Sequence, residues 1–343
     1  MIKANFNSDY TRGAHPDVLQ ALLETNLEQT VGYGCDDYTA EAERLILKAC
    51  GLRSGQVHLL VGGTQTNATA ITALLRPHEG VIASQEGHIA IHEAGAIEAG
   101  GHKVLTLPHH QGKLRAEDVQ RYIEDYYRDE THEHIVAPGM VYISHPTELG
   151  TLYTRAELSD LSAVCRKANI PLYLDGARLA YGLQAEGTDL SLTDIAELCD
   201  LFYIGGTKCG TLFGEALVCK APYDLPYFRS VIKQQGALLA KGRLLGLQFC
   251  ALFTNGLYER IGAHAIEQAM RLKAGMLAKG YELYIDSPTN QQFFVLPNDE
   301  LDQLQGFAAF ELWGPRGATH TPVRFVTDWG TDPSAIEDFL AQL

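Results

Sequence analysis

The chain has no Cys-x-x-Cys pair, and its seven cysteines (35, 50, 165, 199, 209, 219 and 250) are scattered and odd in number. That usage argues against a disulfide framework and a zinc site, and for a reducing compartment. Basic charge is scarce. Against 42 Asp and Glu there are only 27 Lys and Arg, a net charge of −15. A nucleic-acid partner needs a basic face, so none is expected. The acidic excess forms no long block, so it reads as solvated surface rather than an interaction tail. No apolar run approaches the ~18 residues that span a bilayer. The start, Met-Ile-Lys-Ala-Asn-Phe-Asn-Ser-Asp-Tyr, carries no apolar signal core. A soluble, cytoplasmic protein is the expectation. The first strand–helix unit also lacks Gly-x-Gly-x-x-Gly, which argues against a nucleotide-binding dehydrogenase.

What is present is an ordinary globular balance, 46% hydrophobic and 20% charged over 343 residues. That is ample for a large core and a smaller domain. Apolar runs alternate with helix-like stretches through the first two-thirds. Strands are predicted at 57–61, 80–83, 102–107, 139–144, 171–174 and 201–204, and helices at 65–75, 88–99, 116–128, 156–168 and 192–197. Such alternation means an α/β fold, a mainly parallel, doubly wound sheet with helices on both faces. The run at 216–219 reads as an antiparallel addition. After Ala221-Pro-Tyr-Asp-Leu-Pro the texture changes. A helical region over 235–279, broken near Gly256, precedes apolar runs at 292–296, 307–312 and 323–327 and a helix at 334–343. These predict a large domain over 1–235 and a small α+β domain over 236–343.

Chemistry-bearing residues fall at successive strand ends. The run Asp-Leu-Phe-Tyr-Ile-Gly-Gly-Thr-Lys-Cys-Gly ends in Lys208, and Ile-Pro-Leu-Tyr-Leu-Asp-Gly-Ala-Arg ends in Asp175 and Arg178. One strand–helix–strand unit separates the lysine from the aspartate. Both therefore reach the carboxyl edge of the sheet, where α/β proteins bind ligands. A lysine for a Schiff base and an aspartate for a pyridinium nitrogen are what pyridoxal phosphate chemistry asks of a protein. Val61-Gly-Gly-Thr-Gln-Thr-Asn67 joins a strand to a helix. Its glycines permit close backbone approach, and the helix start offers free N–H groups to a phosphate. Gln85-Glu-Gly-His88 follows the next strand and places an imidazole where it can lie on an aromatic ring. Taken singly, each has a plainer explanation: a capped turn, a helix-capping aspartate, a solvated lysine, one surface histidine among 13. Their order at consecutive strand ends weakens those explanations. His109-His110 and His132/His134 read as polar loop residues with no ligand spacing, so no metal is assigned.

In this order the elements resemble the threonine aldolase family of pyridoxal phosphate enzymes, within the aspartate-aminotransferase fold (fold type I). The resemblance runs from Asn7-Ser8-Asp9 through Gly32-Tyr33-Gly34, Gly63-Thr64-Gln65, His88 with Glu93 and Gly95, Ser144-His145, Asp175-Gly-Ala-Arg178 and Thr207-Lys208 to Val323-Arg324-Phe-Val. It implies that Lys208 holds the cofactor as a Schiff base, Asp175 pairs with the pyridine nitrogen and His88 stacks on the ring. Gly63 and Thr64 would bind the phosphate, and Ser8, Arg178 and Arg324 the substrate carboxylate. His145 would lie near the substrate's β-hydroxyl, with His145 and His88 both candidates for its proton acceptor. Tyr33 would reach in from a neighbouring subunit of a dimer or, more usually, a tetramer.

Three departures stand out. Thr207 replaces the family's usual serine before the lysine and keeps the hydroxyl. Gly236-Ala-Leu-Leu-Ala-Lys-Gly-Arg243 replaces a Gly-Gly-Gly-Met-Arg stretch, leaving Lys241 or Arg243 for a phosphate contact. Tyr10 follows Ser8-Asp9 in place of threonine. The leading expectation is an aldolase splitting β-hydroxy-α-amino acids of the threonine and allo-threonine type into glycine and an aldehyde. Another amino-acid lyase acting by β-elimination, or a transaminase on the same scaffold, is the alternative. A non-catalytic cofactor-binding protein is disfavoured by the intact Lys208, Asp175 and arginines.

Overall fold

A computed structural model of the protein describes residues 4–220 and 225–343. The predicted change of texture at Ala221–Asp224 lies outside them. A seven-stranded sheet forms the centre. Its strands run in the spatial order Gly55–Leu60, Glu215–Lys220, Leu201–Gly205, Leu172–Asp175, Ala137–Ser144, Glu79–Ser84 and Val104–Leu107. Only Glu215–Lys220 runs antiparallel to its neighbours, as the run at 216–219 predicted. The strands Leu172–Asp175 and Leu201–Gly205 are buried along their whole length, because helices cover both faces. Alternate residues serve opposite layers: Leu172, Leu174, Phe202 and Ile204 join one apolar cluster, Tyr142, Tyr173, Leu201 and Tyr203 the other.

Strand order sets where a ligand can sit. After Glu79–Ser84 the chain moves outward to Val104–Leu107, then returns to lay Ala137–Ser144 on the inner side of Glu79–Ser84. The connections leaving Glu79–Ser84 and Ala137–Ser144 thus diverge. That switch in direction opens a crevice at the carboxyl ends of the strands.

A four-stranded antiparallel sheet, ordered Glu311–Leu312, His320–Val326, Gln291–Pro297 and Glu282–Ile285, forms the smaller unit. Its apolar cluster includes Leu272, Phe294, Phe325 and Phe339 and takes in Ala4 and Phe6 from the other end of the chain. Phe6 and Phe339 meet edge to face at 5.4 Å, a geometry worth about 0.5–1.5 kcal/mol beyond area burial. Two features cut across the division drawn at 235/236. Strand Ala4–Asn5 pairs with Ala308–Ala309, and helix Arg243–Leu252 packs against Asp37–Ala49. There a side chain at Gly246 would meet the Thr39 nitrogen at 2.6 Å.

Three predicted elements differ. The helix at 88–99 is two short helices, His88–Ile91 and Ala96–Ala99, parted by Ala94 and Gly95 at positive φ (50° and 73°). The break turns Glu93 inward. The helical region at 235–279 begins only at Arg243 and breaks at Asn255 and Gly256 (φ 54° and 66°), giving Arg243–Leu252 and Leu257–Ala278. The run at 307–312 splits into two short strands that join different sheets. Helices Pro16–Glu24 and Asp37–Ala49 were not predicted, although Pro16 at the helix start and Asp36, which accepts from the Thr39 nitrogen, are start signals. Among the described residues no helix is long and apolar enough to cross a membrane.

Candidate active site

Asp175 ends its strand beside Ser144 of the neighbouring strand. Its carboxylate is enclosed by donors. Oδ2 accepts from the Tyr142 hydroxyl at 2.6 Å and the Asn67 amide at 3.0 Å, and Oδ1 accepts from the Ala177 nitrogen at 3.0 Å. Burial pushes its pKa up, but His88 and the Tyr142, Tyr203 and Asn67 donors outweigh burial and hold it below the ordinary aspartate value. Asp175 is thus a fixed anion. Tyr142 and Tyr203 are raised well above the usual tyrosine range by burial and then by Asp175, so both remain donors.

His88 is tied to the same network. Its Nδ1 lies 2.8 Å from Glu93 Oε1, which also accepts from Asn67 at 2.7 Å. Asn67 in turn accepts from the Tyr173 hydroxyl at 2.8 Å. Asn67 belongs to helix Gly63–Leu74, whose first residues, Gly63 and Thr64, line the same cavity. A Cβ at Gly63 would press on the Tyr203 hydroxyl at 3.0 Å, so glycine keeps the helix start open to a ligand.

Lys208 lines this cavity of about 210 Å³ with Thr207, Arg178 and Glu215. Burial, then the Arg178 charge, lowers its pKa from the ordinary lysine value, the direction an imine-forming amine needs. Glu215, on the antiparallel strand, accepts from the Gly206 nitrogen at 3.0 Å and is pushed by burial up to about 8.

Arg178 is committed by two bonds to Asp9, Nε to Oδ2 at 2.7 Å and Nη2 to Oδ1 at 3.1 Å. Asp9 also accepts from Asn290 at 3.0 Å. Beyond this pair, off the cavity wall, lie Ser8 and Arg324. Arg324 donates to Gln291 at 2.8 Å and to Glu311, over the face of Trp313. The charges of Arg178 and Asp9 both act on it. The Ser8 hydroxyl and Arg324 Nε are buried and without partners, as donors set for an anion would be.

Besides Ser8 and Arg324, three predicted site residues do not line the cavity. His145 is fully buried beneath Tyr153. Its Nδ1 accepts from the Tyr153 nitrogen at 3.3 Å, its Nε2 has no partner, and burial lowers its pKa to about 4. It is a core histidine that does not line the cavity expected to bring it to the β-hydroxyl. Tyr33 and Lys241 are exposed and near each other. The Tyr33 nitrogen donates to Ala240 at 2.9 Å. Arg243, the alternative to Lys241, is spent on the carbonyls of Thr25 and Asn26.

Sequence reasoning missed Asn67, Glu93, Tyr142, Glu148, Tyr203 and Glu215 as parts of the site. Tyrosines 142, 173 and 203, one near each of three strand ends, were the available signal. Glu148 lines the same cavity as Lys208, with Oε1 accepting from Ser144 Oγ and the His88 nitrogen.

This sheet, with a buried aspartate and a lysine on adjacent strand ends facing an open helix start, defines an enzyme of pyridoxal phosphate fold type I. An aspartate aminotransferase of Thermus thermophilus shares the fold, with a TM-score of 0.72 at 16% identity over 99% of this chain and 90% of that one. The model of the beta-eliminating lyase family matches residues 5–291, and the chain belongs to that family. A threonine aldolase structure from Leishmania major superposes with a TM-score of 0.95 at 44% identity, covering 98% of each chain. A low specificity L-threonine aldolase of Pseudomonas sp. (strain NCIMB 10558) is 29% identical over 98% of this chain and 96% of its own. The protein is a lyase that uses pyridoxal 5′-phosphate. The donor set fits that group: a fixed anion, a lysine amine of lowered pKa, and free N–H groups with a threonine hydroxyl at a helix start.

Proposed function

We propose that the protein cleaves β-hydroxy-α-amino acids of the threonine and allo-threonine type to glycine and an aldehyde. The observation that carries this reading is the set Lys208, Asp175 and His88 in one cavity of a chain 44% identical, nearly end to end, to a threonine aldolase. Lys208 is the imine-forming lysine. Gly63 and Thr64 would hold the phosphate, Thr207 flanks Lys208, and Asp175 would pair with the pyridine nitrogen. Asp175 keeps that nitrogen protonated because its own donors hold it as an anion. His88 lies on the ring, oriented by Glu93. When bound, the cofactor supplies an electron sink for the pair left on Cα. Arg178, Arg324 and Ser8 bind the α-carboxylate. Fixing the carboxylate would orient the Cα substituents and so select which Cα bond is broken.

Assembly belongs to the same proposal. Tyr33, whose nitrogen donates to Ala240, and Lys241 lie outside the cavity, and Leu23, Leu27 and Val31 are apolar and exposed. A second copy of the chain covers that face, and the two residues complete its site. The working form is a dimer or a pair of dimers. All seven cysteines are unpaired, which suits a cytoplasmic setting.

The test is product analysis. Purified protein with pyridoxal phosphate is given threonine, allo-threonine and phenylserine. Glycine with the matching aldehyde supports the reading. Ammonia with a keto acid establishes a β-eliminating enzyme instead, and amino transfer to an added keto acid a transaminase.

A further inference from the structure

With His145 in the core, only His88 of the two predicted acceptors for the β-hydroxyl proton lines the cavity. The connection leaving strand Ala137–Ser144 supplies another group. It sends His145 inward and turns Glu148 into the cavity, on the crevice side where the paths from Ser84 and Ser144 diverge. Glu148 is positioned at two points. Its Oε1 accepts from Ser144 Oγ at 2.6 Å and from the His88 backbone nitrogen at 2.9 Å. The same carboxylate therefore also fixes where His88 begins its helix. The His88 imidazole is itself engaged through Nδ1 with Glu93.

Two carboxylates of one cavity sit in opposite environments. Asp175, ringed by donors, stays ionised. Glu148 is raised from the ordinary glutamate value, chiefly by burial and further by Asp175, against the Ser144 hydrogen bond and the His88 charge. Carboxylates pushed apart in this way take different roles, one as a fixed charge and one as a proton carrier.

We propose that Glu148 is the catalytic base of the carbon–carbon cleavage, taking the proton of the substrate's β-hydroxyl. This rests on the aldolase reading above. In the step the β-O–H bond breaks and its proton passes to the Glu148 carboxylate. The O–H pair becomes the second bond of the aldehyde carbonyl. The Cα–Cβ bond breaks, and its pair remains on the glycine carbon until a proton restores Cα–H. Glu148 then releases its proton to solvent, which regenerates the carboxylate and balances the proton taken up at Cα. In the synthetic direction the protonated Glu148 returns its proton to the new hydroxyl.

The test separates the β-hydroxyl step from the rest of the chemistry. Holoenzyme carrying Glu148→Gln keeps an acceptor for Ser144 and His88 but cannot take a proton. It should retain the visible cofactor band and exchange the α-proton of glycine in D₂O, followed by NMR, within about threefold of wild type. Threonine cleavage should fall by about 10²–10⁴-fold, the usual contribution of a general base. Cleavage within tenfold of wild type overturns the proposal. So does a parallel loss of glycine exchange and cleavage, which marks a purely positional role. If Glu148→Gln does not fold, Glu148→Ala with added formate decides. Formate-dependent return of cleavage supports the proposal, and no return while glycine exchange persists overturns it. A wild-type protein that exchanges glycine but releases no aldehyde overturns the aldolase reading itself, and is told apart because the unmutated enzyme fails.

Discussion

Asp9 and Arg178, 169 residues apart in the chain, form a buried ion pair joined by two hydrogen bonds. The Asp9 side chain has no exposure and that of Arg178 only 12%. Removing one partner of such a pair strands the other charge. Asp9→Asn should therefore cost about 3–5 kcal/mol of stability. Asp9 has its folded pKa lowered: burial raises it, but Arg178 and Lys208 lower it further. A lowered carboxylate stabilises fully above its unfolded-state pKa, and that contribution is lost as pH falls through the folded value. Urea midpoints of wild type and Asp9→Asn should thus differ at neutral pH and converge in acid. A gap that stays constant down to strongly acid pH would contradict the pairing.

On the proposed reading, Arg324 holds the substrate carboxylate before and during the chemistry. Arg324→Ala should raise KM about ten- to a hundredfold, the value of one hydrogen bond to a charged group, with kcat little changed. Glu311 pairs with Arg324 and, on the same reading, would compete with a substrate carboxylate for it. Glu311→Gln should therefore lower KM. Steady-state kinetics on the two variants check both signs.

His145→Ala should act on stability alone. It removes the acceptor of the Tyr153 nitrogen, at a cost of about 1–3 kcal/mol. Turnover per folded molecule should stay within a few-fold of wild type. A loss of kcat comparable to that of Glu148→Gln would restore His145 to the chemistry.

The assembly proposal predicts complementation. Lys208→Ala should be inactive and no longer reducible by borohydride, yet still bind cofactor through Gly63, Thr64 and Asp175. Tyr33→Ala should keep the reducible yellow band and lose most turnover. If Tyr33 serves the partner's site, mixed dimers of the two variants hold one intact site. Random exchange would then recover about a quarter of wild-type activity in a symmetric dimer. No recovery, or an active monomer by light scattering, would refute the shared site.

Most of the large sheet was legible because its strands are continuous apolar runs ended by glycine or a polar residue. Lys208 and Asp175 could be read for the same reason. Strand Ala4–Asn5 was not, since two residues paired with Ala308–Ala309 leave no periodic trace. The helix predicted at 88–99 failed because its break serves a tertiary purpose, the inward Glu93 that holds His88 and Asn67. His145 and Glu148 are three residues apart after one strand end. Their types mark both as candidates, and only the path of the turn decides which faces the cavity.

The aromatic cluster around Phe6, Phe325 and Phe339 carries a further consequence. Phe6 donates to Ala309 and accepts from Val326 through its backbone, and Ser8 and Asp9 follow within three residues. Arg324 lies on the strand that also carries Phe325. Ser8 and Arg324, two of the three groups proposed to hold the substrate carboxylate, therefore ride on one small module, while Arg178, Lys208, Asp175 and His88 ride on the large sheet. Repacking those rings is a way to retune which amino acid is accepted while leaving the cofactor's seat undisturbed.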